Sequence, residues 1–149
     1  MRTVPRSRTN PQYNAEVLGA ELAPWRVDYD RIPGLGGLRG RSRDVPPEVN
    51  GYWENQSFHN YADYALSDAF AEALDQLIGK AAMETTAIMC SEAVWWRCHR
   101  RIIADYLLMH GIPVRHLMGG GRIEPASLTP AARERGGRLV YPASIDEPA

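Results

Sequence analysis

The segment from residue 85 to residue 117 constrains the fold most, because it predicts a strand, a helix and a second strand in succession. Residues 85–89 form a short, unbroken apolar run, which is typical of a strand buried on both faces of a parallel sheet. A helix is predicted over residues 94–110, with Gly111 as its stop. Residues 112–117 are predicted to form the next strand. This order predicts a βαβ unit with a right-handed crossover.

The rest of the chain supplies shorter elements. We predict a helix over residues 15–22 capped by Asn14, a strand over 25–29, a short helix after Thr129-Pro130 and a final strand over 138–141. Residues 61–82 predict a helix in two pieces, with Ser67 capping the second. One face of that second piece is apolar and is expected in the core: Phe70, Leu74, Leu77 and Ile78.

These elements together predict an α/β fold in three layers with a mainly parallel sheet. Between them, residues 34–59 lack periodicity and are rich in Gly, Pro and Arg. A loop of that length inside a domain is either functional or disordered. Its aromatic residues Tyr52, Trp53 and Phe58 predict that its second half packs against the core.

Length and composition bound the class of protein. The 149 residues, 44% hydrophobic and 23% charged, predict one globular domain, placed at residues 1–142 with a frayed tail at 143–149. No apolar run approaches the ~20 residues that span a bilayer, and the N-terminus lacks the apolar segment of a signal peptide. We therefore expect a cytoplasmic protein without a membrane partner. Two cysteines are too few for a disulfide scaffold.

The net charge of −1 conceals a segregation of charge along the chain. Residues 1–43 carry eight arginines against four acids, and residues 44–90 carry eight acids against Lys80, the sole lysine. Arginine presents a planar fork that suits phosphate or carboxylate. The arginine-rich N-terminal part is therefore a candidate for holding an anion, although GC-rich coding explains arginine usage equally well.

The turn from the predicted strand into the predicted helix concentrates the reactive residue types. Cys90 ends the strand, and a thiol at a helix N-terminus beside Arg and His has surroundings that lower thiol pKa. Arg97, Arg100 and Arg101 near that end oppose the helix macrodipole by roughly 0.3–1 kcal/mol each. An anion at the turn, or the carboxylate of Glu92, would account for them.

Three kinds of site compete at this turn. A Cys-loop-Arg anion cradle would use Cys90 as nucleophile, but the loop to Arg97 is one residue longer than the phosphatase pattern and lacks its glycines. A metal site would use Cys90, Cys98 and His99 with a distant His59, His110 or His116, but adjacent residues point apart on a helix. A nucleic-acid site would use Arg6, Arg8, Arg39, Arg41 and Arg43, with Tyr52 or Trp53 for stacking.

The motifs resemble those of the DUF488 family of small bacterial proteins. The resemblance rests on PRSRTNPQYN, GLGG, YWENQSFHNYADYAL and MCSEAVWWRCHRRIIADYLLMHGI, and it extends from residue 2 to about residue 141. It implies a parallel α/β domain whose presumed active site combines the Arg-Ser-Arg loop, the Gly-Gly loop and the Cys-His-Arg helix. By position, the motif residues are Arg2, Pro5, Arg6, Ser7, Arg8, Asn10, Gly36, Gly37, Tyr61, Cys90, Glu92, Cys98, His99 and Arg100.

The resemblance also identifies two departures. Trp95 stands where the family often has proline. Similar proteins begin with a further strand, helix and strand, and Met1 stands where a valine would end that unit. We therefore expect that this chain lacks the first βα unit of the family and that the native chain is longer, with Met1 read from an internal GTG valine codon.

The favoured function is an enzyme-like domain that binds a small anionic, phosphate-bearing ligand. Cys90, Glu92 and His99 are the candidate catalytic residues, and the candidate anion-binding residues are Arg6, Arg8, Arg97 and Arg100. Supporting residues are Ser7, Asn10, Gly36, Gly37, Tyr61 and Cys98. Two alternatives remain open: a nucleotide or nucleic-acid binding module without catalysis, and a Cys/His metal site. The sequence leaves any cofactor unknown.

Overall fold

The computed structural model describes residues 14–90 and 94–143. Within them the α-helices are α1 (Ala15–Leu22), α2 (Gln56–Tyr64), α3 (Asp68–Met83) and α4 (Arg100–Met109). Short 3-10 turns occur at Ala23–Trp25, Pro33–Leu35, Pro47–Asn50 and Trp95–Arg97. The strands are β1 (Arg115–Gly119), β2 (Arg122–Pro125), β3 (Arg133–Arg135) and β4 (Arg138–Val140).

Side-chain caps fix where the two central helices begin. Asn55 precedes α2 and accepts hydrogen bonds from the backbone N–H groups of Ser57 and Phe58. Ser67 precedes α3, and its hydroxyl oxygen accepts from the N–H of Phe70. Each cap satisfies donors that the first helical turn leaves without an intrahelical partner. The predicted two-piece helix with Ser67 as the second cap is therefore confirmed, although its first piece begins earlier, at Gln56.

The strands form two separate hairpins. β1 pairs antiparallel with β2, with His116 opposite Glu124, and β3 pairs antiparallel with β4. The turn of the second hairpin is Gly136-Gly137, with φ of 61° and 79°. Glycine adopts positive φ without the steric cost of a Cβ, and such φ values match the turns that connect twisted antiparallel strands.

The prediction of a three-layer fold with a mainly parallel sheet is wrong. The described residues contain two antiparallel sheets of two strands each, and residues 85–89 belong to neither. Residues 85–87 are exposed, whereas a central parallel strand would be covered on both faces. The apolar run was short, and short apolar runs do not specify strand pairing, which depends on distant partners.

Three smaller predictions also need correction. The expected strand at residues 25–29 is absent from the described structure, because a 3-10 turn ends at Trp25 and Arg26 adopts a left-handed backbone with φ of 59°. The helix expected after Thr129-Pro130 is replaced by β3. The strand expected at 112–117 begins at Arg115 and pairs with β2. The final strand and the stop at Gly111, with φ of 77°, are confirmed.

The core lies between α2, α3, α4 and β4. The apolar face of α3 packs inward as predicted, with Phe70, Leu74 and Leu77 buried and Ile78 half-buried. Opposite it lie buried residues of the other elements: Leu35, Tyr61, Ala62, Ile102, Ile103, Tyr106, Leu107 and Leu139. The Tyr106 hydroxyl bonds the backbone of β4, as donor to the Leu139 carbonyl at 3.3 Å and as acceptor from its N–H at 3.1 Å.

Residues after β4 are built into the same core. Tyr141 is fully buried; its ring meets Trp53 edge-on, and its hydroxyl donates to Asp105 at 2.8 Å. Its backbone N–H donates to the side chain of Asn50, which in turn donates to Asp63. Burial raises the pKa of Asp105, against the hydrogen bonds from Thr129 and Tyr141. The carboxylate is thus held in a low-dielectric site by specific donors.

Among the described helices, none is both long enough and apolar enough to cross a membrane.

Candidate thiol and imidazole site

Two thiols and one imidazole meet where α4 begins. The ligand-forming atoms of Cys90, Cys98 and His99 all lie within 4.8 Å of one another, and Cys98 Sγ is 3.4 Å from His99 Nδ1. Cys98 is buried at 3% exposure, whereas Cys90 is half-buried. The structure therefore brings together two of the three predicted catalytic residues, and it adds Cys98 to them as a direct neighbour.

The local backbone explains how consecutive residues face the same point. Cys98 is extended, with φ of −132° and ψ of 151°, between the 3-10 turn at Trp95–Arg97 and α4. His99 is the N-cap of α4, with φ of −57° and ψ of −15°. The predicted helix over 94–110 would have pointed these side chains apart. Because α4 begins at Arg100, Cys98 and His99 lie before the helix and contact one another, and the expectation that they point apart is wrong.

Arg100 contacts the buried sulfur directly. Its backbone N–H and its Nε–H each donate to Cys98 Sγ at 3.4 Å. The pKa of Cys98 is raised, chiefly by the neighbouring Cys90 side chain and secondly by burial. The hydrogen bonds donated by Arg100 oppose that rise. Arg100 thus lies at the cluster and supplies positive charge there, as the sequence predicted.

The Gly-Gly loop forms the wall against which the imidazole packs. A Cβ placed on Gly37 would lie 2.5 Å from His99 Nδ1, so only glycine leaves room for the ring. Tyr61 lies on the ring as well, with centroids 4.9 Å apart, and its buried hydroxyl donates to the Leu35 carbonyl at 2.8 Å. Tyr61 and Gly37 therefore position His99, which gives both predicted supporting residues a physical role. Gly36 is buried beside them.

Two further side chains hold this loop. The hydroxyl of Tyr64 donates to the Gly34 carbonyl at 2.6 Å, and Arg39 donates to the Gly36 and Pro33 carbonyls. The Arg39 guanidinium also lies over the Tyr64 ring, 3.9 Å from its centroid. Arg39, which the sequence placed in a nucleic-acid surface, thus contacts the loop.

His99 carries a further feature of functional sites. Within the described part of the chain, its Nε2 atom is buried and has no hydrogen-bond partner. An unsatisfied buried polar atom costs about 1–3 kcal/mol. Such atoms are rare in folded proteins and call for a specific explanation. The imidazole therefore sits in an environment that stability alone does not favour.

A second histidine, one of the three distant histidines considered for a metal site, adjoins the cluster. His116 of β1 stacks on Trp95, with ring centroids 4.1 Å apart and planes 4° from parallel. Burial lowers the pKa of His116, and the positive charge of Arg100 lowers it further. The first hairpin thus lies against the start of α4. A Gly119-Gly120-Gly121 turn between apolar segments was the signal for this hairpin.

The other predicted site residues separate into three groups. Arg97 is exposed, and the contacts among described residues do not join it to the sulfurs. Arg101 turns toward another surface, where it lies 5.0 Å over the Trp53 ring and donates to Thr129. Five predicted residues lie outside the described residues: Arg6, Ser7, Arg8, Asn10 and Glu92.

The aromatic residues proposed for base stacking have a packing role in this structure. Trp53 is 6% exposed, with Phe58 stacked on it at 5.0 Å and Tyr141 edge-on at 5.2 Å. Its neighbours Tyr52, Phe58 and Arg101 line an open surface groove. Nucleic-acid binding stays a prediction, and Trp53 is an unsuitable platform for it.

The geometry defines a helical protein with a dithiol and imidazole cluster at a helix start, held by a glycine loop. Residues 1–107 match the family model described as "Domain of unknown function DUF488". The chain belongs to this family. No curated protein and no solved structure matches the chain.

Proposed function

We propose that the protein is a thiol-dependent enzyme that acts on a small anionic substrate, with Cys90 as its nucleophile. The observation that carries this proposal is the meeting of Cys90, Cys98 and His99 within 4.8 Å beside the Arg100 guanidinium. Nucleophile, base and cation at one point are the requirements of nucleophilic catalysis on an anion.

Accessibility assigns the roles of the two sulfurs. Cys90 is half-buried and can meet a substrate, whereas Cys98 is 3% exposed and already accepts two hydrogen bonds from Arg100. Cys98 is therefore not the attacking thiol. His99 is the base that takes the Cys90 proton, and the Cys90 sulfur then attacks an electrophilic atom of the substrate and displaces its leaving group.

Arg100 supplies the affinity for the anion. A guanidinium offers five N–H donors in a planar fork, of which Nε–H is directed at Cys98. The position at the start of α4 adds the positive end of the helix dipole. Arg6 and Arg8 are proposed to complete the anion site.

Alkylation of the thiols tests the proposal. Wild type should react with iodoacetamide at pH 7 at least about tenfold faster than an ordinary thiol, and inorganic phosphate should protect it. Cys90→Ser should abolish the fast phase, and Cys98→Ser should retain it. Arg100→Gln should lose phosphate protection, with Arg97→Gln as the matched control. Slow labelling of Cys90 without phosphate protection would overturn the proposal.

A further inference from the structure

We infer that Cys90, Cys98 and His99 also form a binding site for a thiophilic divalent cation of the Zn²⁺ class. The inference goes beyond the proposed reaction, because it assigns the cluster a ligand of its own. It rests on the geometry of the three donor atoms and does not depend on whether Cys90 is a nucleophile.

The spacing of the donor atoms is close to what a tetrahedral ion requires. Zinc lies about 2.3 Å from thiolate sulfur and about 2.0–2.1 Å from imidazole nitrogen, so neighbouring donors are roughly 3.5–3.8 Å apart. Cys98 Sγ and His99 Nδ1 are 3.4 Å apart, and each remaining pair lies within 4.8 Å. Shifts of about 1 Å or less, compared with those zinc-site spacings, bring all three donors onto one ion.

The chemistry of the donors selects the class of ion. Two thiols and one imidazole are soft and borderline ligands, which favour Zn²⁺ over the oxygen-seeking Mg²⁺ and Ca²⁺. Both thiols lose a proton to the solvent when they bind. The two thiolates then balance the two positive charges of the ion, so the nearby Arg100 guanidinium does not face a net positive centre.

The surroundings hold two of the ligands in place. The Arg100 N–H and Nε–H groups donate to Cys98 Sγ, and contacts of this outer kind orient metal ligands. Gly37 and Tyr61 confine the His99 ring on two sides. Because Cys98 and His99 are already held in place and Cys90 lies on the adjoining segment, binding an ion costs less conformational entropy.

Three protein ligands leave the fourth position of a tetrahedral ion open. Open sites of this type are typical of catalytic zinc, whereas structural zinc is usually held by four protein ligands. A bound cation uses the Cys90 sulfur as a ligand. Cation binding and Cys90 alkylation therefore exclude each other. The cation thereby becomes a regulator of the thiol as well as a ligand.

Competition with a chromogenic zinc chelator tests the inference on reduced, metal-free full-length protein. Wild type should withdraw one equivalent of Zn²⁺. Cys98→Ser and His99→Gln should each weaken binding by more than about tenfold, since even the loss of an outer contact to a ligand commonly costs 10–100-fold. The matched control is His110→Gln, at an exposed histidine at the end of α4. Circular dichroism checks that each variant folds.

Cobalt and alkylation give independent readouts. Co²⁺ should produce the intense visible bands of a tetrahedral site and a thiolate charge-transfer band that Cys98→Ser diminishes. Zn²⁺ should slow Cys90 alkylation in wild type and leave it unchanged in Cys98→Ser. Less than one equivalent of Zn²⁺, equal affinity in all variants, or cobalt without a thiolate band would overturn the site. Slow alkylation with tight Zn²⁺ binding would overturn the proposed reaction alone.

Discussion

Gly37→Ala is the sharpest test of how the His99 imidazole is held. The added Cβ would lie 2.5 Å from Nδ1, 2.8 Å from Cε1 and 3.0 Å from Cγ of His99. Comfortable contact between such atoms needs about 3.5–4.0 Å, so the ring must retreat by about 1 Å. Tyr61, with its ring centroid 4.9 Å away, stands beside the ring, and the ring therefore has little room to move.

The structure sets the expected magnitude. Overpacking of this kind lowers the free energy of unfolding by about 1–3 kcal/mol. Alanine also restricts the unfolded chain, which raises that free energy by about 0.4–1 kcal/mol. The expected net loss of stability is about 1–2 kcal/mol. Gly40→Ala is the matched control in the same loop. A Cβ there would have no heavy atom of the described structure within 4 Å, so its stability should be unchanged or raised by up to about 1 kcal/mol.

Urea denaturation followed by circular dichroism measures the difference. With m of about 1–3 kcal/mol/M, the two variants should differ in midpoint by roughly 1 M. Cys90 alkylation in Gly37→Ala should also slow, because the base is displaced from the thiols. Coincident midpoints for the two variants, with unchanged alkylation, would show that Gly37 does not confine His99.

Two further predictions concern buried groups around this site. Tyr61→Phe removes the donor to the Leu35 carbonyl and should lower the free energy of unfolding by about 1–3 kcal/mol. Tyr64→Phe removes a part-buried hydroxyl and should lower that free energy by less. The reverse order in urea denaturation would contradict the role of Tyr61. The raised pKa of Asp105 means that its folded form holds its proton more tightly, so its contribution to stability is full below the ordinary value of 3.8 and falls as pH rises through the raised pKa. Asp105→Asn should lack that fall between acid and neutral pH, and parallel stability curves for variant and wild type would refute it.

The elements that could be predicted from sequence are those specified by local chemistry. Ser67 before an apolar periodic run, and Gly111 after one, mark helix ends through hydrogen bonds and backbone angles within a few residues. The sheet could not be predicted in this way. Residues 85–89 have the composition of a buried strand, but whether they pair depends on distant segments. The hairpins at Gly119-Gly120-Gly121 and Gly136-Gly137 did carry a local signal that was missed.

In the candidate site, too, residue type could be read from the sequence, whereas the contacts between distant residues could not. Cys90, His99 and Arg100 were identified from their residue types, and the structure places them together. Cys98 was named as a supporting residue, but a continuous helix was expected to point it away from His99. The extended backbone at Cys98 instead lets its buried sulfur contact His99. His116 was one of three distant histidines considered for the metal site. The sequence could not single it out, because only the pairing of β1 with β2 and the packing of that hairpin bring it to Trp95.

The burial of Tyr141 bears on where this domain can be cut. The match to the family model ends at residue 107, within the turn of α4 that carries Tyr106. Yet the Tyr106 hydroxyl is bonded to β4, and Asp105 is bonded to Tyr141. A truncated chain or a gene fusion divided at that boundary would separate a carboxylate from its donor and open the helices to water. The smallest portable unit of this protein therefore extends at least to Tyr141, past the residues that the family model matches.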